Sequence, residues 1–195
     1  RQRNNSDSVS RPSYKQLVHA ENVMVRTSQY VELHCHSNYS FYQGASFIQE
    51  ILARAVELGY HALAITDHDN LCGAMEFAQA ARSLGIQPII GAEINLAGGY
   101  HMTLLAETRQ GYSNLCKLIS FARMDTDRKR PELDDSFLIG HTQGLIFLSG
   151  CPNGEIPYLA QQGRMSEARD IAEKYIRWFG RENVYLELEQ NLVYG

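Results

Sequence analysis

His34 and His36 stand one residue apart, just past the short apolar-leaning stretch Tyr30-Val31-Glu32-Leu33. In an extended segment, residues i and i+2 face the same way, so the two imidazoles are presented together. Imidazole suits zinc, iron, copper, nickel and, less strongly, manganese. Taken alone, the pair is equally well read as two exposed loop histidines. A second polar group, Thr66-Asp67-His68-Asp69-Asn70, follows the apolar run Ala62-Leu63-Ala64-Ile65. Polar side chains at the end of a buried strand must be solvated, paired or coordinated. Asp67 is suited to orienting an imidazole from behind, and Asp69 or Asn70 to capping a following helix. Glu93 closes Ile89-Ile90-Gly91-Ala92. A bridge between two cations would satisfy this carboxylate, as would an arginine. Cys151 follows Leu148-Ser149-Gly150. A thiolate there could bind a metal, although a buried inert thiol is the default for a lone cysteine. His101 lies at the start of its apolar stretch, not the end, and by itself reads as a surface or core histidine. His19, His61 and His141 have no such context and are assigned structural or solvent-exposed roles.

These groups need elements that hold them at one end of a sheet. Tyr30–Leu33 predicts a short strand. Ser46 opens a capping box and a helix with Ile48, Ile51, Leu52, Ala55 and Leu58 at helical spacing, ended by Gly59. Ala62–Thr66 reads as a buried strand. A helix over about 71–84, strands over 88–92 and 101–106, and a helix over about 112–122 follow. Residues 123–135 read as a charged loop. The remaining elements are a strand over 145–148, a helix from Ser166 to Phe179, and a last strand over 184–188. Ligands in open α/β sheets gather beyond the carboxyl ends of strands. The alternation predicts an α/β sheet or barrel with parallel pairing.

The chain has 195 residues, is 44% hydrophobic and has a net charge of -4, which fits one globular domain with a sizeable core. A free-standing nucleic-acid binder carries a basic surplus, and 18 Lys+Arg against 22 Asp+Glu leave none. A site that meets phosphates through cations is not excluded. The four cysteines form no CxxC pair, which argues against a zinc knuckle. Cys35, Cys72 and Cys116 read as free thiols of a cytoplasmic protein. No apolar run approaches the ~18 residues of a membrane span. Residues 1–29 read as a leader and lead-in, and 30–195 as the domain.

His34-Cys35-His36-Ser37 with Tyr39-Ser40, then Thr66-Asp67-His68, then Gly91-Ala92-Glu93 resemble the successive motifs of the PHP (polymerase and histidinol phosphatase) domain. The stretches 101–106, 111–115, 144–151 and 183–188 are most similar to the PHP domains of bacterial family C DNA polymerases, the error-prone variants above all. The resemblance implies a distorted seven-stranded (β/α) barrel holding up to three divalent ions, typically zinc, manganese or iron. It implies His34, His36, His68, Glu93, His101 and Cys151 as metal ligands, with Asp67 assisting catalysis. Metal-dependent phosphoester hydrolysis follows, in some polymerases as a 3′–5′ exonuclease. DNA would be reached through the rest of the polymerase, and other polymerase domains or subunits would be partners. A metal-stabilised structural module and a free-standing small-molecule phosphatase are the competing readings. Gln43 stands where the family usually has an aspartate, and the family's last motif is expected beyond Gly195.

Overall fold

The structure, a computed structural model, describes residues 30–124 and 131–188. The leader expected at the N-terminus and His19 lie outside them. The elements run α1 (Ile48–Glu57), β1 (Ala62–Ile65), α2 (Ala74–Ser83), β2 (Gln87–Asn95), β3 (His101–Ala106), α3 (Arg109–Met124), α4 (Asp135–Leu138), β4 (Leu145–Leu148), α5 (Glu155–Gln161), α6 (Met165–Phe179), a 3-10 turn (Arg181–Asn183) and β5 (Val184–Tyr185). The five strands lie in sequence order across one sheet.

This α/β sheet is mixed, which corrects the expectation of parallel pairing. β1 and β2 are parallel, as are β4 and β5, but β3 is antiparallel to both β2 and β4. The reason is the length of the β2–β3 link. Residues 96–100, with Gly98 and Gly99 at positive φ, are too few for a helical crossover, so the chain turns straight back. The described residues contain five strands and four isolated parallel bridges, of which Glu32 to Leu63 lies beside β1 and His68 to Glu93 beside β2.

The helices pack on one face. Alternation along β2 and β3 sends Ala92, Ile94, Met102 and Leu104 into a core with Leu115 and Leu118 of α3 and Tyr175 and Phe179 of α6. Ile48 and Leu52 of α1 and Phe77 and Ala81 of α2 meet Leu63 and Ile65 of β1. The opposite face carries Ala64, Leu105 and Leu148 and, further along the same strands, Glu93, Thr103 and His101. The helix α3 comes close to the turn before β4. A Cβ on Gly111 would stand 1.8 Å from the Gly144 carbonyl oxygen, so glycine is needed there for backbone contact.

Several local expectations shift. Tyr30–Leu33 forms a single bridge instead of a strand. Ala64 N–H donates to Glu32 O and Thr66 N–H to Cys35 O. Three steps on one segment thus oppose two on β1, and the extra residue kinks the chain. The helix α1 is capped one residue later than expected. Glu50 accepts from the Phe47 N–H at 2.8 Å, which is half of a capping box. The helix α2 begins after Gly73, so neither Asp69 nor Asn70 caps it. Instead Asn70 Oδ1 accepts from Cys72 N–H in a local turn. The strand β2 continues to Asn95, which places Glu93 inside the strand. The helix α4 begins at Asp135, the last residue of the stretch read as a loop, and neither it nor α5 was expected; four and seven residues are too short to show a helical period. The last strand ends at Tyr185.

Candidate metal centre

Glu93 collects the site. Its carboxylate is buried on the face of β2 away from the helices. Oε2 lies 2.7 Å from His34 Nε2 and 3.1 Å from His36 Nε2. Oε1 contacts His101 Nδ1, with His68 Nδ1 at 3.5 Å and Cys151 Sγ at 3.9 Å. Cys151 Sγ is 3.5 Å from His101 Nδ1. All six residues expected as ligands therefore meet in one place. Two overlapping groups, His34–His36–Glu93 and His68–Glu93–His101, have ligand atoms within 4.8 Å of one another.

The antiparallel step explains how His101 joins them. Because β3 runs against β2, its first residues lie beside the last residues of β2, with Glu93 opposite Thr103 and Asn95 opposite His101. The strand β4 runs back again, and the turn after Leu148 returns Cys151 to the same end. His34 and His36 reach it from the kinked segment beside β1, their Nε2 atoms 3.3 Å apart.

The surroundings decide which nitrogen of each ring faces inward. Ser40 donates its hydroxyl to Asp67 Oδ1 at 2.8 Å, so towards His36 Nδ1, at 2.9 Å, it accepts. His36 Nδ1 therefore donates to Ser40, and Nε2 turns to Glu93 Oε2. Asn95 gives its amide N–H to Asp69, and its Oδ1 lies 3.0 Å from His68 Nε2. That nitrogen carries the His68 proton. His68 Nδ1 is left as a buried lone pair with no hydrogen-bond partner. That orphaned nitrogen, buried beside a shared carboxylate and further imidazoles, would gain a partner from a bound cation. The N, O and S donor set suits a divalent transition ion, so the residues fit the metal that the sequence leads one to expect.

Asp67 touches no imidazole directly. It accepts from Ser37 N–H at 2.7 Å, from the Ser37 hydroxyl at 2.8 Å and from Ser40, and so bears on His36 through Ser40. Ser40 also accepts from His68 N–H. Glu187 and Asn95 were not anticipated. Both Glu187 oxygens lie within 3.1 Å of His34 Nδ1. Its signal was available, since it is a carboxylate just past an apolar strand, as Glu93 was taken to be. Gln43 is exposed in the turn after Ser40 and outside the cluster. His61 is exposed, and His141 is tied to the Phe137 carbonyl.

Electrostatics follow the geometry. Burial pushes the Glu93 carboxyl up, but its bonds to His101, His34 and His36 outweigh this and hold it far below the ordinary range. Burial lowers His34, yet Glu187 and Glu93 raise it from 6.5 to about 10. His101 is also raised from 6.5 to about 10, by Cys151 and then Glu93, against burial. In the metal-free protein these two shifts contribute stability that is complete below pH 6.5 and is lost as pH rises through about 10. A bound cation must displace those protons. Metal affinity is therefore expected to increase by about tenfold per pH unit for each proton displaced, levelling off above pH 10. Titration calorimetry in two buffers of different ionisation heat should count protons released at pH 8. Affinity that is flat with pH, with no proton release, would exclude these imidazoles as ligands.

A family model described as PHP domain matches residues 32–191. An error-prone DNA polymerase of Symbiobacterium thermophilum is 44% identical over 183 residues, covering 85% of this chain and 17% of that protein. A DNA polymerase III subunit alpha of Treponema pallidum is 40% identical over 182 residues, covering 86% of this chain and 16% of that protein. The chain thus spans less than a fifth of the length of these curated relatives. Among solved structures, a two-domain protein from Bacteroides vulgatus, described as containing a predicted PHP-like metal-dependent phosphoesterase, superposes with a TM-score of 0.45. It is 18% identical and covers 80% of this chain and 49% of that one, a likeness too loose to bear on the site. No helix among the described residues is long and apolar enough to cross a membrane.

Proposed function

The chain belongs to the PHP domain family, and from that premise we propose that it is the metal-binding PHP domain of a DNA polymerase III alpha or error-prone DNA polymerase, hydrolysing phosphoesters. The observation that carries this reading is the sharing of Glu93, whose two oxygens each face a separate group of nitrogen donors. Such a carboxylate is suited to bridging two cations. His34 and His36 would hold one together with Glu93, and His68, His101 and Cys151 would hold the other together with Glu93.

Divalent ions bound there supply Lewis-acid activation of water and neutralise charge on phosphoryl oxygens. The protein supplies position. Glu187 and Ser40 keep the outer nitrogens of His34 and His36 engaged, and Asn95 does so for His68. Asp67 holds Ser37 and Ser40 beneath His36. The buried donors would confine the cations to one end of the sheet. Residues 30–195 form the domain, which in the family is a distorted seven-stranded barrel. A third ion, and the choice among zinc, manganese and iron, belong to the same reading, as does access to DNA through the rest of the polymerase.

The test is hydrolysis by the purified chain, loaded with manganese or zinc, on a 3′-recessed oligonucleotide and on p-nitrophenyl phosphate. Loaded protein is expected to outpace chelated protein by at least about 100-fold. Metal uptake that raises the melting temperature without any hydrolysis would instead establish the structural-module reading, which the neutral, exposed Gln43 favours.

A further inference from the structure

Thr103 is wholly buried on β3, and its hydroxyl has no hydrogen-bond partner. Among the described residues, only His68 Nδ1 shares that condition. Leaving such a group unpaired destabilises the fold, and valine would fill the same space without that cost. The hydroxyl is placed where a donor is useful. Thr103 points to the same face as His101, two residues away, and stands opposite Glu93 on β2 and Leu148 on β4. The turn that delivers Cys151 passes over it. Gly150 has φ +80, and a Cβ there would lie 3.7 Å from Thr103 Oγ1.

We propose that Thr103 is a positioning residue whose hydroxyl donates to the Cys151 sulfur once that sulfur is a metal-bound thiolate. This rests on the metal-binding reading above. In the structure, Cys151 Sγ meets Glu93 Oε1 and His101 Nδ1, both of which a bound cation would engage. The remaining sulfur lone pairs then need a donor, and the unspent hydroxyl of Thr103 lies beneath the same turn. The Glu93 oxygens already face imidazole nitrogens on both sides, so the sulfur is the acceptor left over. Outer-sphere partners of this kind are worth about 10–100-fold in metal affinity. An O–H···S bond also draws charge from the sulfur and fixes its direction.

The experiment compares wild type, T103V and T103S as full chains titrated with cobalt(II), reading affinity by competition and the sulfur-to-cobalt charge-transfer band by absorption. Melting is also measured without metal. T103V is expected to bind cobalt about 10–100-fold more weakly, with its charge-transfer band moved to lower energy. Its metal-free melting should be unchanged or raised, because the orphaned hydroxyl has gone. T103S should restore affinity and band. Wild-type affinity and an unmoved band in T103V would overturn the inference while leaving the metal reading intact. Lower metal-free melting with an unmoved band would reduce Thr103 to packing and would also overturn it. Wild-type protein that takes up no cobalt would overturn the metal reading itself, and this inference with it.

Discussion

Alanine at position 93 is expected to leave the chain unable to retain divalent metal. Glu93 is the one residue common to both ligand groups, so its loss removes a donor from each at once. First-sphere loss should exceed the 10–100-fold that outer partners contribute, so affinity should fall by more than about 100-fold and metal-dependent hydrolysis should disappear. The metal-free protein is affected too. Removing the carboxylate strands buried imidazoles that now share it, and breaking such a buried charged set costs about 3–5 kcal/mol. Glu93→Gln keeps the shape but offers a single neutral oxygen, so it should still lose metal while recovering part of the stability. Elemental analysis of protein purified without chelator, with urea unfolding, checks both effects. An E93A chain that still carries two ions would show that the carboxylate does not bridge them.

The second large effect is expected at Asp67. This carboxylate is 2% exposed and accepts from Ser37 N–H, the Ser37 hydroxyl and the Ser40 hydroxyl. Asp67→Ala leaves one buried amide and two buried hydroxyls without an acceptor, each costing about 1–3 kcal/mol. A total of about 3–5 kcal/mol is expected because the hydroxyls can turn elsewhere. Ser40 also supports His36 Nδ1 and accepts from His68 N–H, so metal affinity should drop by about tenfold or more as both imidazoles lose their orientation. Denaturant unfolding of the metal-free protein separates the two effects. A stability change below about 1 kcal/mol would show that the serines find other partners.

Much of this was legible in the chain before any coordinates. The longer helices show their period, as at Ile48, Leu52 and Ala55, and the buried strands read as continuous apolar runs. The polar residues closing those runs marked the site, because chemistry alone makes Asp67, His68 and Glu93 costly where they stand. What pattern could not supply was direction. His101 seemed to lie at the wrong end of its strand only while β3 was taken as parallel. The turn with Gly98 and Gly99 reverses it and brings His101 to Glu93. The inward nitrogen of each histidine was equally out of reach, because it depends on Ser40, Glu187 and Asn95, which approach from separate segments. The short helices α4 and α5 left no periodic trace.

The contact between His34 and Glu187 spans 153 positions along the chain. It therefore closes a ring, joining the segment before β1 to the segment after β5. Closing a loop of that length removes conformational freedom worth about 5 kcal/mol from an open chain. A lone imidazole–carboxylate contact cannot offset this, so the sheet and its helices must already be packed when the two segments meet. Cations held by His34 and His36 on one side of Glu93 and by His68, His101 and Cys151 on the other would then staple the segment before β1 to β2, β3 and the turn after β4. Much of their contribution to stability would come from limiting the freedom of the unfolded chain.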